Sequence, residues 1–121
     1  MKISYEQIIS GIIACESEVQ AMTEENINNK LLLSALLSKN MNKNNLNIAE
    51  EFQNNFISND ELIKDLKTDI TTLTRNTQSN PGNIIENIER LEQIKQRIRI
   101  LQFDCWQLKY KFKNYLSGYA K

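Results

Sequence analysis

One feature limits the possible folds more than any other: a long alternation of apolar steps in the last third of the sequence. Ile94, Ile98, Leu101, Cys105, Leu108, Phe112, Tyr115 and Tyr119 follow at intervals of four and three residues, and Ile84, Ile88 and Leu91 extend the stripe backward. That period puts every member on one side of an α-helix. A helix striped in this way has to bury its seam against other helices, which the rest of the chain must supply.

The sequence marks these partners. Ser4-x-x-Gln7 is a capping box, with Ile3 and Ile8 at the positions of a hydrophobic staple, so a first helix begins at residue 4. Tyr5, Ile8, Ile12, Cys15, Val19 and Met22 repeat the seam period; it turns polar around Asn26, Asn28 and Asn29 and resumes in KLLLSALLSKNM. The expectation is one helix to about Met41, with a break near residue 24 as the alternative. The Asn-rich segment from Asn40 to Asn47 reads as a reversing linker, because Asn disfavours helix interiors and tolerates turn conformations. Asn47 and Glu50 would then cap a second helix carrying Ile48, Phe52 and Phe56.

Two signals conflict in this second arm. Ser58-Asn59-Asp60-Glu61 is another capping box, with Ile57 and Leu62 placed to staple it, and it predicts a new helix from residue 59. Yet Phe52, Phe56, Asn59, Ile63, Leu66, Ile70, Leu73 and Thr77 hold one register straight through it. A kinked arm over residues 47–77 reconciles the two; a true turn at residue 58 gives four helices. Gln78 to Asn83, QSNPGN, is a turn, since Pro81 lacks a donor and Gly82 is unrestricted. Asn83 with Glu86 can cap the last helix, and Glu86 to Arg90 is an i,i+4 ion pair on its surface. With only three Gly and one Pro in 121 residues, many-stranded sheets are improbable. The expected fold is therefore all-α: one domain over residues 1–121, an antiparallel bundle of three long arms, the second kinked or split near residue 58.

The last arm poses a further problem. A helix turns by about 100° per residue, so with Ile94 at zero Phe103 falls at about 180°, Tyr110 at about 160°, Trp106 at about 120° and Ile100 at about 240°. This second stripe lies opposite the seam. In one arrangement the helix is central and a separately turned fourth helix covers the stripe, the commoner fate of aromatic residues at helical spacing. In the other, Ile100, Phe103, Trp106 and Tyr110 form an exposed patch that binds a second copy or another protein.

Charge separates along the chain in the same way. Residues 1–82 carry seven basic and eleven acidic side chains; residues 83–121 carry eight and four, and the total is zero. Complementary packing within one bundle accounts for this more simply than a nucleic-acid surface. Lys95, Arg97, Arg99, Lys109, Lys111 and Lys113 do interleave with the aromatics, however, as they would on a single-strand platform.

Chemistry is sparsely represented. The chain has no histidine, which removes the commonest general base and metal ligand. Cys15 and Cys105 lie on the seams, lack metal-ligand spacing and read as core thiols in a reducing, cytoplasmic setting. Ile12-Ile13-Ala14-Cys15 resembles a lipoprotein cleavage box, but Glu6 and Gln7 interrupt the apolar region that such a signal needs. Glu61, Asp65 and Asp69 form an acidic ladder that reads as solvated surface. No phosphate loop or nucleophile elbow occurs, no run of apolar residues is long enough to span a membrane, and no cofactor is implied. The reading is a non-enzymatic helical interaction or structural module, a homodimer or a subunit of an assembly. Its docking residues are Ile100, Phe103, Trp106 and Tyr110, and nucleic-acid binding through the basic last helix is the alternative.

Overall fold

A computed structural model describes residues 4–39 and 42–119, Tyr119 by its backbone alone. Three helices form: α1 (Tyr5–Leu37), α2 (Lys43–Ser79) and α3 (Ile84–Tyr119). Their 33, 37 and 36 residues correspond to rods of about 50, 56 and 54 Å at 1.5 Å per residue. Matched lengths let each rod bury most of its seam, although Tyr5, expected as the first seam residue of α1, stays exposed at the end of the bundle. The first half of α1 packs with the second half of α2 and the first half of α3, so α2 runs antiparallel to the other two.

The start of α1 is as the sequence indicates. Ser4 N–H donates to Gln7 Oε1 at 2.8 Å, and Gln7 N–H donates to Ser4 Oγ at 3.3 Å. Ile3, Asn40, Met41 and the Tyr119 side chain lie outside what the structure describes. No break occurs near residue 24, because Asn26 is itself a seam residue, 4% exposed.

Two expectations for α2 are corrected. It begins at Lys43, and Asn42 caps it by accepting from Asn45 N–H at 2.9 Å, five residues before the expected cap at Asn47. Asn42 offers the same capping chemistry earlier, and starting there adds a turn that buries Ala49 on the seam and leaves Ile48 exposed. The helix also runs unbroken through residue 58, so there is no fourth helix. Ile57 and Leu62, the expected staple, are exposed, whereas Asn59 is buried. A cap contributes about 1 kcal/mol, while each large seam residue buried contributes about 1.5–3 kcal/mol, so the register overrides the local signal. The connection to α3 spans residues 80–83 and is closed by Asn83 N–H donating to Asn80 O at 3.1 Å.

The core has two parts. One holds Ile8 to Met22, Ile63 to Leu73 and Leu91 to Leu101; the other holds Leu33, Leu36, Ala49, Phe56 and Phe112. In the second, Phe112 meets Phe56 edge-on and Phe52 at a tilt, each with centroids 5.2 Å apart, and Tyr115 Oη donates to Asn45 O at 3.1 Å. Between the two parts lies a polar layer. Asn26 Nδ2 donates to Phe56 O at 2.9 Å and also to Asp60, whose other oxygen meets Lys30. Asn59 and Cys105 line the same layer around a void of about 10 Å³, too small to bind a ligand. At its edge Lys109 pairs with Glu25 at 2.7 Å. Asn87 is buried ahead of Leu91 in α3, and Ile84 and Ile88 pack partly buried against the core beside it.

Candidate docking face

The apolar residues of α3 divide into two sets. Leu91, Ile94, Ile98, Leu101 and Phe112 are buried, and Cys105, Leu108 and Tyr115 pack partly buried against them. Ile100, Phe103, Trp106 and Tyr110 keep 64, 58, 61 and 59% of their surface in solvent. The expectation that a fourth helix encloses them is overturned, since α2 is one rod and reaches only the flank of the stripe.

The exposed residues form an ordered row. Phe103 and Trp106 stack with centroids 6.4 Å apart and planes 28° apart; Trp106 and Tyr110 stack at 6.0 Å and 19°. The row from residue 100 to 110 is about 15 Å long. Together the four side chains expose on the order of 500 Å², at the upper end of the largest apolar patches on ordinary monomers. α1 also exposes Tyr5, Ile13, Ile27, Leu31 and Leu32, but these spread over about 40 Å of helix and form no row of stacked rings.

Beside Ile100, a groove of about 160 Å³ opens between α2 and α3, lined by Leu62, Leu66, Arg97, Ile100, Leu101 and Asp104. The sequence reading missed Leu62 because it assigned that residue to the staple. On the register that runs through residue 58, Leu62 falls beside the seam residue Ile63, and it lines the side facing α3.

Ion pairing sorts the cations of α3. Arg90 pairs with Glu86 at 3.0 Å and Lys95 with Glu92 at 3.3 Å, both within the helix. Arg97 meets Asp69 of α2, the end of the acidic ladder, and Lys109 meets Glu25 of α1. Among the described residues, Arg99, Lys111 and Lys113 have no carboxylate partner, and all three are exposed. Complementary packing within the bundle thus accounts for only two of the cations.

Other chemistry is poorly supplied. Burial raises the Cys105 thiol to about 11, with Glu25 and Asp104 adding to the shift. Burial is also the main cause of the upward shift at Cys15, which is 2% exposed. Both thiols are protonated at neutral pH and are poor nucleophiles. A wider furrow of about 830 Å³ follows α1 and α2 past Glu16, Gln20, Lys67 and Arg75. The hydroxyls of Thr71 and Thr74, which line it, donate to carbonyls of their own helix. No group of three or more potential metal ligands occurs among the described residues, and no helix of the described chain is long and apolar enough to cross a membrane. Compared with protein-family models, curated proteins and solved structures, the chain matches none.

Proposed function

We propose that this chain is a helical interaction module, without catalytic activity of its own, that docks another macromolecule on the outward face of α3. The observation that carries the reading is the aromatic row, three stacked rings left in water on a rod whose opposite side packs into the core. Aromatic residues concentrate at interface hot spots because they bury large area at low entropic cost, and a patch of this size is otherwise a solubility liability. A photo-crosslinking side chain in place of Trp106, in cells that make the protein, is expected to give a discrete protein adduct. The same group at Ser17, on α1, should not. No adduct at position 106 would falsify the reading.

The second reading, single-stranded nucleic acid stacked on the row, is supported by the three unpaired cations beside it. Its adduct would lose its added mass on nuclease treatment, which leaves a protein–protein adduct unchanged.

A further inference from the structure

We infer that the outward face of α3 receives an acidic amphipathic helix of another protein and is built against pairing with a second copy of itself. The inference rests on the docking-face reading above and adds the chemistry of the partner. Between Lys95 and Asn114, the outward arc of α3 carries Lys95, Arg99, Lys111 and Lys113. The one acidic residue in that span, Asp104, lies at the α2 edge of the arc, about 20° beyond Lys111 on the same helical count, and lines a furrow with Lys111 and Glu51. With Lys95 held by Glu92, three unpaired cations bracket the aromatic row: Arg99 before it, Lys111 and Lys113 after it.

Symmetric self-association brings these charges together. An isologous contact repeats one patch on both copies, so an antiparallel pairing centred on the row sets Arg99 of one copy near Lys113 of the other, and a parallel one sets Lys113 of one copy near Lys111 of the other. Both place like charges beside a surface that has just been dehydrated, where screening is weakest. The exposed apolar area is roughly 500 Å². It suits one face of a single helix, since three turns span about 16 Å.

Such a helix would lay apolar residues spaced i, i+4, i+7 along Tyr110, Trp106 and Phe103. One aliphatic side chain would seat in the groove between Leu62, Ile100 and Leu101, and carboxylates on its flanks would meet Arg99, Lys111 and Lys113. Leu62, Leu66, Ile100 and Leu101 make up most of that groove's lining, and the Arg97 in it is already held by Asp69.

Trp106 is the only tryptophan of the chain, so its emission reports this face alone. Two Trp-free helical peptides of about 18 residues, five turns, with the same leucine stripe and either Glu or Lys flanks, are titrated into the full chain. At low salt the acidic peptide is expected to bind at least about tenfold tighter, with the preference shrinking as salt rises. The triple variant Arg99→Glu/Lys111→Glu/Lys113→Glu, checked for helix content, should reverse the preference. Equal binding, or preference for the basic peptide, overturns the acidic partner and leaves the docking face standing. So does a dimer that Trp106→Asp dissociates, or a labelled single-stranded oligonucleotide that outcompetes the acidic peptide. Binding of neither peptide also overturns the inference, and the crosslink at position 106 then decides alone whether the docking face survives.

Discussion

Asn26 offers a sharp test of the packing. It is 4% exposed in the layer between the two apolar cores, its amide donating to Phe56 O and Asp60 while Lys30 holds the other oxygen of Asp60. Asn26→Ala removes a donor without stranding its acceptors, since the Phe56 carbonyl sits within a continuous helix and Asp60 keeps Lys30. The loss is about 1–3 kcal/mol, because one of the two acceptors is charged. Asn26→Leu suffers the same loss, but the buried leucine returns about 1.5–3 kcal/mol, leaving the protein near or slightly above wild-type stability. Asn26→Asp sets a carboxylate against Asp60 and a carbonyl with little water to help, which costs about 3–5 kcal/mol. Urea unfolding followed by circular dichroism, at unchanged m-value, should rank the variants Leu near wild type, then Ala, then Asp. An aspartate variant as stable as the alanine variant would mean that position 26 is hydrated, and the description of the layer would fail.

Three further outcomes are expected. Phe103→Asp and Trp106→Asp should each leave unfolding free energy within about 0.5 kcal/mol of wild type, whereas Phe112→Ala, 1% exposed between Phe52 and Phe56, should cost about 3–5 kcal/mol by chemical denaturation. The Cys105 thiol, raised to about 11 in the folded chain, holds its proton more tightly than the unfolded thiol. Its contribution is therefore intact below the unfolded value near 8.5 and is lost between there and about pH 11; Cys105→Ala should flatten that part of the stability profile, and an unchanged slope would refute the assignment. A Cβ on Gly11 would lie 2.7 Å from Leu91 Cδ2. For Gly11→Ala, the helix-propensity gain of up to about 1 kcal/mol and the cost of turning Leu91 aside, about 0.5–1.5 kcal/mol, should nearly cancel in the thermal midpoint, while Gly11→Phe should lose about 1–3 kcal/mol.

The seams were legible in the sequence because a 3.5-residue period over nine or ten layers leaves little alternative: Ile8 to Met22, Ile63 to Leu73 and Leu91 to Leu101 all lie where their spacing puts them. Errors arose where a short local signal met that long register. The capping box at Ser58 and the asparagines at positions 44, 45 and 47 describe helix ends when taken a few residues at a time, yet both lie inside α2. A polar residue on the seam misled in the same way: Asn26 looked like an interruption and instead joins Asn59, already in register, in the layer between the two cores, because a buried amide with a carbonyl and a carboxylate to meet costs far less than one without. The outward stripe of α3 was visible as four residues opposite a seam. Its exposure was not, since that depended on whether α2 folded back as a fourth helix. Nor could spacing separate the unpaired Arg99, Lys111 and Lys113 from Arg97 and Lys109, which find carboxylates on other helices.

The account stands most directly on the state of Trp106 in the isolated, folded chain. At a concentration where sedimentation gives the monomer mass of 14.1 kDa, its emission should be red-shifted, and a neutral quencher should reach it nearly as fast as it does in urea. A blue-shifted Trp106, shielded from the quencher in that same monomer, would mean that the chain covers its own aromatic row and that no docking face exists.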